Sequence, residues 1–264
     1  MLFPTAMLIK VWPVEDSPYS PIRHFFLWQQ SIPQHSIHEY MLLINRNAWM
    51  IGFQENRQIS ESMFIGEAAL HQDRLLPESP WILGVVFRIG RYQQVVDCPM
   101  SQISEQVLSL QDHLGARAAS LLEQLAGEEE WDSKIEHLYQ DLLVDTGPYG
   151  ELQRVLKAIE VIRLGKLKTV DALTRELGIG RRKLERLFHS FIGLSPKTYI
   201  QLERFRRVVQ LMKDQPGISQ AELVVLGGYY DQAHLIRQFK SFAGMTPRQF
   251  RNRNRERHLM SVKI

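Results

Sequence analysis

Arg182, Glu185, Arg186 and His189 fall at i, i+3, i+4 and i+7, opposite a stripe of Leu184, Leu187, Phe188 and Phe191. On a helix they form one polar face. Arginine presents a guanidinium fork that fits guanine, and glutamate can accept from the cytosine amino group, so this set, with Arg181 beside it, has the chemistry to read base edges in a DNA major groove. About 51 residues further on, the same face carries Ala233, Ile236, Arg237 and Lys240, with Gln232 at its entry. It is more apolar, suited to one bidentate contact and packing on thymine methyls, so stricter base reading is expected of the first set. Arg186 and Arg237 are the outward position that both sets share.

Both faces belong to an internal repeat. With Leu184 set against Leu235, the pairs Arg186/Arg237, Phe188/Phe239, Ser190/Ser241, Phe191/Phe242, Gly193/Gly244, Pro196/Pro247 and Tyr199/Phe250 all correspond. Each copy reads as a short amphipathic helix, a glycine turn (Gly178; Gly227-Gly228), a second helix with L-x-R-x-F-x-S-F, and a closing G-L-S-P or G-M-T-P. Two helices joined by such a turn make a helix-turn-helix unit. Thr169 is the expected N-cap of the first copy, ahead of Val170, Leu173 and Leu177. A helix over Glu151–Leu164, ending at Gly165, is expected to pack beneath it. Between the copies, Tyr199–Lys213 places Leu202, Phe205, Val208, Val209 and Met212 on one stripe. That predicts a linker helix of about fifteen residues, roughly 22 Å long, which fixes the two units relative to each other.

The charge is segregated in the same way. Residues 1–149 hold 9 Lys/Arg against 19 Asp/Glu, and residues 150–264 hold 23 against 10, although the whole chain is only +3. An acidic front half and a basic back half read as a partner-sensing domain joined to a polyanion-binding one. Cys98 is the single cysteine, which excludes an intrachain disulfide and a cysteine zinc site. It has no neighbouring Lys, Arg or His and reads as a structural thiol. His35 and His38 would point to opposite faces of a strand, so no metal site is expected, and nothing calls for a cofactor. An enzyme fused to such a domain, for instance an alkylation-repair protein, would need a set of reactive or metal-bound cysteines. The first residues lack a basic n-region and are broken by Pro4 and Pro13, and the apolar run at Trp81–Phe87 is far too short to span a bilayer. The expected location is the cytoplasm, with no membrane partner.

Upstream, short aromatic and β-branched runs at Ile22–Trp28, Ile37–Ile44, Ala48–Phe53 and Trp81–Ile89 predict strands, with a hairpin turn at Asn45-Arg46-Asn47. Arg91, Tyr92, Trp49, Trp81 and Phe87 read as core aromatics and their neighbours rather than a ligand pocket. Past Pro99 the spacing turns helical. Ser104 is the expected N-cap of a helix along Val107, Leu108, Leu110, Leu114, Leu121, Leu122 and Leu125, broken near Gly115, and a second helix carries Ile135, Leu138 and Leu142. Strands followed by helices give an α+β N-terminal domain, a small sheet or partial barrel, over residues 1–147. The breakers of Asp145–Gly150 mark the boundary to an all-α domain with two helix-turn-helix units at 148–253. A basic tail at 254–264 either touches phosphates or is solvated.

The stretch from about 151 to 253 resembles the DNA-binding domain of the AraC/XylS family of bacterial transcription regulators. The G-x-x-x-x-L-x-R-x-F pattern of Gly178–Phe188, the string GYYDQAHLIRQFKSFAGMTPRQFR and the two G-[LM]-[ST]-P closers carry that resemblance. It implies a seven-helix domain whose two recognition helices enter successive major-groove segments, with an N-terminal domain that senses a signal or mediates dimerisation. Gly180 stands where that family often has a serine cap, and Val224-Val225 where it often has alanine. HEYMLLIN at His38–Asn45 resembles an ELIFNLG-like strand in a subset of these regulators, and no effector-binding residue is carried over from it. The partners implied are double-stranded DNA and RNA polymerase, with a small-molecule effector, a protein partner or a second copy at the N-terminal half. The function expected is a sequence-specific transcription regulator; the rival is an interaction protein that antagonises another regulator through its N-terminal domain and binds DNA weakly.

Overall fold

The computed structural model describes residues 7–15, 20–29, 47–66, 79–96, 98–127, 130–143, 150–165 and 169–256. Its first half is built on six strands: β1 (Met7–Pro13), β2 (Ile22–Gln29), β3 (Ala48–Phe53), β4 (Ile59–Ile65), β5 (Trp81–Phe87) and β6 (Val107–Ser109). They form one sheet in the order β1-β2-β5-β3-β4-β6, with every neighbouring pair antiparallel. β3, β5 and the Phe25–Trp28 part of β2 read as unbroken apolar runs because both faces of the sheet centre are buried. Trp49, Ile51, Phe64, Leu83 and Val85 face the helices, while Phe26, Ala48, Met50, Ile65 and Ile82 form a separate buried cluster. Alternation with polar residues, the usual mark of a one-sided sheet, is therefore missing.

Three of the four expected strands stand where the composition puts them. The fourth, at 37–44, and the turn residues Asn45-Arg46 lie outside the described residues, as do His35 and His38. β3 has β4 on one edge and β5 on the other along its whole length, and its hairpin runs forward to β4. Gln54 donates its N–H to the Gln58 carbonyl at 2.8 Å, and Arg57 takes the left-handed conformation at φ 62°.

One correction concerns Ser104. Val107–Ser109 pairs with β4 as an edge strand, and the cap passes to Ser109, whose hydroxyl accepts the Asp112 N–H at 3.1 Å to open α1 (Leu110–Leu114). Val107 and Leu108 thus extend a sheet edge instead of starting a helix, and Ser104 is left for another role described below. Gly115 at φ 56° separates α1 from α2 (Ala116–Gly127), and α3 (Trp131–Leu142) follows. Leu121, Leu125, Ile135 and Leu138 cover the sheet face that holds Trp49. Trp49 Nε1 donates to the Tyr92 hydroxyl at 2.7 Å, and both pack on Phe87, so these aromatics are core.

Among the described residues the second half contains seven helices: α4 (Gly150–Arg163), α5 (Val170–Leu177), α6 (Arg181–Phe191), α7 (Pro196–Asp214), α8 (Gln220–Gly227), α9 (Gln232–Ala243) and α10 (Pro247–Glu256). The linker α7 has 19 residues, more than the apolar stripe predicts, because the S-P of the first closer is itself a start signal. Ser195 accepts the Thr198 N–H at 3.1 Å and Pro196 fills the first turn, where its missing N–H costs nothing. The two copies pack alike. Phe188 meets Tyr199 edge-on with ring centroids 5.8 Å apart, and Phe239 meets Phe250 edge-on at 5.5 Å. Phe205 from the linker contacts both Phe239 and Phe242, so the units share one core.

Candidate nucleic-acid interface

The second helix of each unit is aimed by the turn before it. α5 ends on Gly178 at φ 62° and α8 on Gly228 at φ 74°. The next N–H closes back five residues in both cases: Ile179 to the Thr174 carbonyl at 3.2 Å, Tyr229 to the Val224 carbonyl at 2.9 Å. This is the left-handed glycine ending of a helix. The copies then diverge. Gly180 caps α6 directly after Ile179, whereas Tyr230 is inserted between Tyr229 and the cap of α9, Asp231. The second turn is one residue longer, and Tyr230, at 91% exposure, projects from it. Asp231 accepts the His234 N–H at 2.6 Å, while Gly180 offers no side chain to α6.

On α6 the core stripe is buried at Leu184, Leu187 and Phe188, which leaves Arg181, Arg182, Arg186 and His189 exposed and Glu185 half-buried. Three of these five are tied within the protein. Arg181 donates through Nε to Glu185 Oε1 at 3.1 Å and lies 3.8 Å from Asp171. Arg186 lies 3.4 Å from Glu151 Oε1, an oxygen shared with Lys183 Nζ at 3.6 Å. Neither Lys183 nor Glu151 is among the residues expected from the α6 pattern: Lys183 sits on the flank of the polar face, and Glu151 reaches in from α4, 35 residues away from Arg186.

On α9, Leu235 and Phe239 are buried, Gln232, Ala233, Arg237 and Lys240 are exposed, and Ile236 is half-buried. The Gln232 amide donates to Gln220 Oε1 across the unit. Arg182, His189, Arg237 and Lys240 make no ion pair or side-chain hydrogen bond among the described residues. The two helices therefore present one arginine each at the same register, Arg186 with a carboxylate beside it and Arg237 without.

Behind these surfaces, α7 is joined to α4 by a charged cluster. Glu203 accepts from the Tyr199 hydroxyl at 2.8 Å and from Arg206 Nη1 at 2.5 Å, and Arg163 Nε lies 3.6 Å away. Burial pushes the Glu203 carboxyl up, but the charges of Arg206 and Arg163 and the Tyr199 hydroxyl outweigh it and hold it below the usual carboxylate value.

The first unit also touches the N-terminal half. Ser104, 1% exposed, donates its hydroxyl to the Gly193 carbonyl at 2.9 Å just past the end of α6. Gln93 Nε2 reaches Ser190 Oγ at 3.3 Å, and Ile89 is part of the C-terminal core. Of the expected domain boundary at Asp145–Gly150, residues 145–149 lie outside the described residues. Among the described residues no group of His, Cys, Asp and Glu is placed to hold a metal, and no helix is long and apolar enough to cross a membrane. Cys98, the single cysteine, is half-buried. Of the basic tail, 257–264 lies outside the described residues.

Residues 173–253 match a family model described as a helix-turn-helix domain. The chain is 30% identical over 101 residues to the HTH-type transcriptional regulator GbdR of Pseudomonas aeruginosa, which is 38% of this chain and 27% of that protein. It is 29% identical over 100 residues to the F1 operon positive regulatory protein of Yersinia pestis, or 37% of this chain and 32% of that one. The matches thus span about a third or less of these curated relatives. Among solved structures, ToxT from Vibrio cholerae aligns over 94% of this chain and 98% of its own at 11% identity, with a TM-score of 0.40.

Proposed function

We propose that the chain, whose residues 173–253 match a helix-turn-helix domain, is a sequence-specific DNA-binding transcription regulator of the AraC type that reads two successive major-groove segments with α6 and α9. The observation that carries this reading is the pair Arg186 and Arg237. They stand at the same register on two helices, exposed, with the equivalent Leu184/Leu235 and Phe188/Phe239 buried behind them. They also lie in a half of the chain with 23 Lys/Arg against 10 Asp/Glu. Base readout falls to Arg182, Glu185, Arg186 and His189 on α6 and to Gln232, Ala233, Ile236, Arg237 and Lys240 on α9, with Arg181 and Lys183 placed for phosphates. One chain with two such helices reads roughly 20 base pairs without requiring a palindrome.

The N-terminal half modulates this reading through the first unit. Support comes from Ser104 and Gln93, which bond residues at the end of α6. Any shift of that half, whether driven by a small effector, a protein or a second copy, would bear on the placement of one reading helix and not directly on the other. RNA polymerase is the partner through which such a protein would act on transcription.

Selection of the full chain on duplexes of randomised sequence, followed by footprinting of the enriched site, tests the proposal. A site with two separately protected segments, one altered by Arg186→Ala and the other by Arg237→Ala, is the expected result. Salt-dependent binding with no enriched sequence would leave only an architectural role, and no binding at all would favour the antagonist reading.

A further inference from the structure

We propose that Glu151, which lies outside both helix-turn-helix units, is a positioning residue for base readout: it holds the Arg186 guanidinium through Nη2 and leaves a second pair of donors free for guanine. This rests on the reading of α6 as a DNA-recognition helix. A guanidinium carries five N–H donors arranged so that a carboxylate on one edge leaves a second pair of parallel donors available. Arg186 meets Glu151 through Nη2 alone, at 3.4 Å, and its side chain remains 69% exposed. The carboxylate is itself held. The same Oε1 is 3.6 Å from Lys183 Nζ, and Glu151 sits in the first turn of α4, where the helix N-terminus favours a negative charge.

The second unit supplies the contrast. Arg237 has no carboxylate beside it among the described residues, and the residue one repeat beyond Glu151, Leu202, is buried and apolar. An unheld arginine must give up its side-chain freedom when it docks on a base, whereas one already held has less to lose. An exposed pair of this kind is worth a factor of about 1.5 to 5, enough to sharpen a base preference without fixing the protein on DNA. Glu151 also follows directly on the segment that leads out of the N-terminal half, so displacement of the α4 N-terminus would weaken guanine reading by α6 while leaving α9 untouched.

The test uses the full chain and a library of duplexes of randomised sequence, with wild type, Glu151→Gln, Arg186→Ala and Arg237→Ala selected in parallel. The wild type is expected to enrich a site with a guanine position that Arg186→Ala loses. Glu151→Gln should enrich the same site with preference at that one position reduced about 1.5- to fivefold. The positions lost in Arg237→Ala should be unchanged, and affinity for a random duplex should stay within about twofold. An equal rise in affinity on selected and random duplexes would make Glu151 a competitor of DNA and overturn the proposal. So would an unchanged guanine preference, or an Arg186→Ala variant that loses no position while the wild type selects a site. If the wild type enriches no sequence, the regulator reading itself falls and the role of Glu151 with it.

Discussion

The Ser104 hydroxyl bonds the Gly193 carbonyl at 2.9 Å, and the two residues are so close that a side chain on Gly193 would place its Cβ 2.3 Å from that of Ser104. Gly193 is also at φ 81°, a left-handed conformation that disfavours any residue with a Cβ. A serine from the N-terminal half thus meets a backbone atom just beyond α6, at a point where only glycine fits.

Gly193→Ala should therefore destabilise the chain by two separable effects. The left-handed backbone costs about 1–2 kcal/mol for a residue with a Cβ, and the steric conflict adds about 1–3 kcal/mol. Urea denaturation of the full chain is the measurement. Gly244, the equivalent position in the second copy, is at φ 69° but exposed, so Gly244→Ala should show only the first effect. Adding Ser104→Gly to Gly193→Ala should recover part of the loss, and not all of it, because the Met100 carbonyl also lies 2.6 Å from the added Cβ. No recovery would mean that Ser104 is not the group in the way.

The two caps predict an asymmetry between α6 and α9. Asp231→Ala removes the acceptor for the His234 N–H and should cost about 1 kcal/mol. Gly180→Ser supplies an acceptor that α6 lacks, but glycine is a tolerated cap, so a gain of only a few tenths of a kcal/mol is expected. Thermal unfolding of the two variants against wild type checks both values. An equal loss and gain would show that the capping side chain contributes the same at the two turns.

Much of the second half was legible because its signals are local. The spacing of Leu184, Leu187 and Phe188, the glycine turns and the repeat itself all act within a few residues, and the helices form where those signals place them. The insertion of Tyr230 was hidden because a repeat aligned on the second helices is blind to turn length. The first half was legible only in its most apolar strands. β4, ISESMFI, is polar along half its length, and β1 ends on a proline; each exists because a neighbouring strand supplies its hydrogen bonds. Ser104 was misassigned for a related reason: a serine before an apolar run is an N-cap signal locally, and the β4 edge that claims Val107–Ser109 is distant in sequence. Glu151 carried no local signal, since its two partners lie more than 30 residues away.

Arg237→Ala should reduce affinity for the selected site by about 1–3 kcal/mol and relax one base position, with a smaller loss on random duplexes. Because Arg237 has no ion pair among the described residues, its loss leaves no buried carboxylate behind, and the unfolding midpoint should stay at the wild-type value. Titration of both duplexes over a range of salt separates the contributions. Equal losses on the two would assign Arg237 to phosphate and not to a base.

Glu203 gives the stability of the C-terminal half a specific acid dependence. Its carboxyl is raised by burial but lowered more by Arg206, Arg163 and the Tyr199 hydroxyl, so its folded-state pKa lies below the ordinary value of 4.5. A depressed pKa contributes stability that is fully present above the unfolded-state value and is lost as pH falls through the folded one. Replacement by glutamine removes that contribution and leaves two arginines facing a neutral amide, which should cost about 1.5–3 kcal/mol at pH 7. The wild-type and Glu203→Gln stabilities should then converge as pH is lowered from about 5 towards 3. Other acidic residues with depressed values, Asp132 and Glu222, titrate in both proteins and cancel in the difference. Denaturation curves at each pH supply that difference. A gap that stays constant down to pH 3 would mean that the Glu203 carboxylate is not what holds α7 against α4.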